Sequence, residues 1–210
     1  ADFVTQKINV FLRFLKEGVI MSFIELYGFF TCYGFPSLII SVIVAAIMIV
    51  CDILFKEKIS AAVKTYLPFV AGAMIYFIYD AIFVSRGVLI TEDKLYAGLI
   101  CGSAACGIFA LYKKIKSGKI PAVSSGAALV IEGVIGDYVE PSSLSATAEV
   151  IDGILKDALT AEDYDEKDLT EKVFEILSAN EKNEFRKDEL LSVAALVVRT
   201  MKVFYFPSNR

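Results

Sequence analysis

Hydrophobic positions along this chain form long unbroken runs before residue 120 and periodic stripes after it. Leu26 to Cys51 carries no charge over twenty-six residues, and Ser37 to Cys51 is almost pure Leu, Ile, Val, Ala and Met. Two further runs follow, Thr65 to Tyr79 and Leu95 to Tyr112. A hydrocarbon core about 30 Å thick takes roughly 20 apolar residues in a helix. Backbone polar groups in lipid must bond within their own segment, so these runs predict helices. Beyond residue 120 the period is helical. Leu144, Ala148, Ile151, Leu155 and Leu159 mark one face of a helix from about Ser142 to Leu159, started by Pro141 and the serines. Leu169, Val173, Ile176 and Leu177 mark a second helix. Asp188 to about Phe204 marks a third, apolar around most of its circumference, which must be surrounded. The fold class is all-α: a polytopic helical membrane domain of about four spans, then a small cytosolic helical domain. The divisions fall at 1–17, 18–119 and 120–210.

Residues 3–17 place Val4, Ile8, Phe11, Leu15 and Val19 at helical spacing between Lys7, Arg13 and Lys16. That amphipathic helix either lies in the membrane interface or leads into a first span. Gly34 and Pro36 mark a turn, and Pro suits the first position of a new helix. Leu26–Cys51 is therefore one kinked span of about 39 Å at about 1.5 Å per residue, or the second half of a hairpin. Charge asymmetry separates the two. With four spans, ten Lys/Arg of residues 1–119 fall on one side and two, Arg86 and Lys94, on the other. With three spans the split is seven to five. The positive-inside rule favours spans at about 14–33, 37–55, 65–84 and 95–112, with both termini in the cytoplasm. A bacterial inner membrane is the expected location. Lys16, Glu17 and Glu25 leave a short or re-entrant first segment open.

Composition sharpens this picture. Hydrophobic residues make up 56% of the 210, against about 45–50% in soluble domains. Residues 1–119 hold 12 Lys/Arg and 8 Asp/Glu, net +4, while residues 120–210 hold 9 and 17, net −8. An acidic tail argues against general nucleic-acid binding. The chain has no His, which removes Ser-His-Asp, Cys-His and HExxH chemistry. Cys32, Cys51, Cys101 and Cys106 match no zinc or iron–sulfur spacing and read as small buried hydrophobes. Asp163, Asp165 and Asp168 lack the glycine and terminal glutamate of an EF-hand loop. Ser124-Ser125-Gly126 is followed by no Gly-Lys-Ser/Thr, so it is no P-loop. No cofactor or metal is implied, and an enzyme is the least favoured class. Glu132 and Asp137 make Ile120–Val139 a poor fifth span, and the lysines of 113–119 read as an interfacial anchor.

Three carboxylates remain as candidates: Glu25 deepest, Asp80 near Arg86, and Asp52 at the cytoplasmic edge. Acids in membrane spans usually face a cavity, an aqueous path or a partner charge. Gly98, Gly102, Cys106 and Ala110, each four apart, form a small-residue stripe that lets backbones approach, within one subunit or between subunits. A ring of subunits would make Glu25 a ring of carboxylates, as in cation pores. The leading expectation is a homo-oligomeric ion channel or pore gated through its tail, by a small ligand or a cytosolic protein. The architecture is generically similar to that of bacterial pore-forming effectors of toxin or phage-defence systems and to holins. The alternatives are a membrane-anchored scaffold whose tail recruits a soluble partner, and a small transporter subunit. In each case the lipid bilayer is the first partner.

Overall fold

A computed structural model describes residues 34–55, 59–84, 91–117, 125–160 and 164–206. Glu25, residues 1–17 and the expected span at 14–33 lie outside the described residues. The described chain is helical: α1 (Phe35–Phe55), α2 (Ala61–Tyr79), a π-helical turn (Asp80–Val84), α3 (Glu92–Lys116), α4 (Gly126–Ile135), α5 (Leu144–Leu159), α6 (Glu166–Ala179) and α7 (Lys187–Tyr205). Phe35–Phe55, Ala61–Val84 and Lys94–Lys116 are long and apolar enough to cross a membrane, the mark of a membrane protein.

Local chemistry sets the helix starts. Gly34 takes φ +84°, a left-handed value open to glycine, and its carbonyl accepts from the Ser37 N–H at 3.2 Å, so α1 begins directly after it. Pro36 then sits in the first turn, where its missing N–H is harmless. Ser60 caps α2 by accepting from the Val63 N–H at 3.4 Å. That cap starts the helix at Ala61, ahead of the expected Thr65. Pro68 therefore lies inside the helix, past its first turn. Ser125 caps α4 in the same way, accepting from the Ala128 N–H at 2.9 Å.

The long helices pack through small residues. A Cβ added to Gly98 would lie 2.6 Å from the Ala73 Cα, and one on Gly102 would lie 2.7 Å from the Phe69 Cα. The backbones of α2 and α3 thus touch directly. Further along, a Cβ on Gly133 of α4 would collide with the Cys106 carbonyl. The stripe Gly98–Gly102–Cys106–Ala110 is buried inside this one chain, against α2 and α4.

α3 is the axis of the molecule. Within its apolar window 67% is buried, against 28% for α1 and 22% for α2. Within 120–139, expected to be a poor fifth span, Gly126–Ile135 forms α4, and nine of its ten residues are buried. One cluster runs from Phe69, Ile100 and Ala104 through Leu129 and Ile131 to Ile151, Leu155, Leu177, Val197 and Met201. The tail helices thus share a core with α2 and α3. The apolar circumference of α7 is covered by the same chain, with Leu190, Val193, Val198 and Met201 all buried. An antiparallel bridge, Val139 to Glu181, ties the α4–α5 connection to the α6–α7 connection.

Candidate functional site: the two ends of the central helix

Each end of α3 carries a buried ion pair. At its start Lys94 bonds Asp80, with side-chain exposures of 14% and 8%. Near its end Lys114 bonds Glu132 at 2.6 Å, with exposures of 13% and 2%. The apolar surroundings make an unpaired carboxylate costly at either place. Asp80 lies in the π-helical turn that closes α2. Across the hairpin it pairs with Lys94, while Arg86, the neighbour the sequence suggested, lies outside the described residues. The hairpin itself brings the two together, since α2 and α3 pack side by side.

Two spaces open beside the Lys114 end. A cleft of about 370 Å³ is lined by Phe109, Lys113, Lys114, Ser117, Glu132, Asp137, Ser145 and Lys182, among others. Lys113 also lies over the Phe109 ring at 4.5 Å, a cation–π contact. Next to it is a cavity of about 20 Å³, room for about one water, lined by Asp52, Lys64, Asp137 and apolar neighbours. Asp52 is half-buried there, at the α1–α2 corner. The end of α1, the start of α2 and the end of α3 thus gather at one end of the molecule. Lys64, Lys113 and Lys114 converge there.

A groove of about 440 Å³ lies at the other end, between Leu95, Tyr96 and Leu99 of α3 and Glu166, Arg199, Lys202 and Val203 of the tail. Lys202 stacks over the Tyr164 ring at 5.6 Å. Its ammonium is held above the ordinary lysine range, first by a hydrogen bond with Tyr164 and further by the Glu166 carboxylate. Nearby, Asp152 accepts from the Ser125 hydroxyl at 2.6 Å and from the Tyr205 hydroxyl, joining α4, α5 and α7. Tyr138 is fully buried; its hydroxyl donates to Glu189 at 3.1 Å, and its ring meets Phe185 at 4.8 Å. Burial, then the Glu189 carboxylate, push that phenol above its ordinary value.

The acids thus divide. Asp80 is neutralised by Lys94, Asp52 faces a water-sized cavity, and Glu25 lies outside the described residues. Sequence reasoning missed Glu132 as a paired core residue. The signal was an acid in the middle of the apolar run Ala127–Ile135, with a lysine cluster just before it. Among the described residues, no group of three or more His, Cys, Asp and Glu could hold a metal ion.

The outer surface divides as well. α1 and α2 turn large apolar side chains outward: Phe35, Ile39, Ile43, Val50, Ile53, Val70, Met74 and Ile78. α5, α6 and α7 turn outward Glu149, Lys156, Lys172, Glu175, Lys187 and Arg199. Each such charge, carried to the middle of a bilayer, would cost about 2.5–3.5 kcal/mol. No family model, no curated protein and no solved structure matches the chain.

Proposed function

We propose that the chain is a membrane-anchored scaffold. α1 and α2 hold it to lipid, and the charged faces of α5–α7 present a binding surface to an aqueous partner. The observation that carries this reading is the segregated surface: exposed apolar side chains on α1–α2, exposed charges on the tail. The buried acids support it too. Asp80 and Glu132 are matched by lysines, an arrangement that suits a static core.

A homo-oligomeric channel is the second reading. What favours it is the outer face of α1, which a neighbouring copy covers as readily as lipid does. Planar-bilayer recording of the full chain separates the two. A silent bilayer, with the protein shown to be bound, is the scaffold's expected result. Discrete openings that change with Glu25→Gln would overturn it in favour of a pore.

A further inference from the structure

The tail helices run along α3 and do not merely follow it. Gly136 and Asp137, just past α4, line one cleft with Lys113 and Lys114 at the end of α3. Lys202 and Val203, near the end of α7, line the groove with Leu95 and Tyr96 at its start. The tail therefore flanks α3 from one end to the other. Any hydrocarbon layer deep enough to enclose α3 would enclose the tail's solvent-exposed charges as well. α1 and α2 also pack on α3, and both turn exposed apolar side chains outward.

Resting on the membrane reading above, we infer that this bundle meets the bilayer from one side. The outer face of α1–α2 sinks into a single leaflet with the helix axes near the membrane plane, and both ends of α3 stay in one aqueous compartment. The length of α3 permits a crossing without requiring one. The lipid surface is the occupant best matched to this face. The face is apolar and uncharged, and exposed Lys116 and half-buried Lys113 stand at the end of α3, positioned for anionic headgroups.

The test is compartment labelling of the full chain in sealed vesicles of neutral and anionic phospholipid. Thr91 and Ser117, both exposed, bracket α3. A cysteine-less chain carrying Thr91→Cys or Ser117→Cys is treated with an impermeant maleimide. Both sites are expected to react equally without detergent. One site reacting only after detergent, while the other reacts before it, places the ends of α3 on opposite sides and overturns the inference. Trypsin on the unaltered chain gives an independent reading: cleavage after both Arg86 and Lys116 in intact vesicles is expected, and cleavage after only one contradicts it. Flotation comes first. A chain that remains with the aqueous fraction as a discrete dimer has this face covered by a second copy, and then the membrane reading fails before the sidedness question arises.

Discussion

Glu132 is carried on a helix that is almost wholly buried, yet the helix tolerates it because Lys114 reaches it from α3. Removing one partner of such a pair strands a charge, at about 3–5 kcal/mol, whereas replacing both with apolar groups of similar size is near neutral. Glu132→Leu alone should therefore destabilise strongly, and adding Lys114→Met should restore most of the loss. Denaturant unfolding of the two singles and the double measures this. An additive double variant would show that the pair is not coupled. Glycines give a second contrast. A Cβ at Gly133 meets the Cys106 backbone, while one at Gly153 meets nothing within 4 Å. Gly133→Ala should lose about 1–3 kcal/mol through overpacking. Gly153→Ala, in the exposed middle of α5, should gain about 0.4–1 kcal/mol. Thermal melts on both variants decide it; equal shifts would mean that the α3–α4 contact is looser than described.

At the scale of helices, much was legible. The uncharged runs marked α1, α2 and α3, because a helix that buries or embeds its whole circumference leaves no polar positions in its sequence. Gly34 and Pro36 marked the start of α1, since each acts through its own backbone. The tail stripes marked α5, α6 and α7 for the same local reason. Pairing between segments was not legible. Asp80 lies fourteen residues from Lys94, and only the hairpin brings the two together. Nor could the pattern say that α7 wraps its apolar side around α3 and α4, because burial by a neighbour in the same chain and burial by another chain leave identical stripes. The stripe on α3 left two partners open for the same reason, and α2 and α4 fill it.

Tyr138 ties these helices together. It follows α4, meets Phe185 before α7 and donates to Glu189 within it. Its raised pKa has a definite consequence for stability. The folded state holds the phenol proton above the ordinary value of about 10, so the unfolded state releases that proton first as pH rises. The stabilisation is complete below about pH 10 and declines as pH rises through that value towards the folded one. Unfolding free energy should fall above about pH 10, and Tyr138→Phe should flatten that decline. A slope unchanged by the substitution would assign the alkaline loss to other groups.

At the scale of the whole molecule, two unlike surfaces enclose a sheathed central helix. α1 and α2 carry exposed apolar side chains, the tail carries exposed charges, and α3 touches both layers. That asymmetry is what a bilayer surface selects, since apolar area leaves water while charge stays hydrated. The chain contains no Trp, so one introduced indole reports alone. The deciding measurement is fluorescence quenching by brominated lipid in vesicles, with Ile43→Trp on α1 beside Lys172→Trp on α6. Ile43 and Lys172 are both solvent-accessible in the bundle, on opposite layers. Strong quenching of the first and none of the second is the predicted result. Equal quenching of both, or of neither, would contradict a molecule held to lipid through its α1–α2 face.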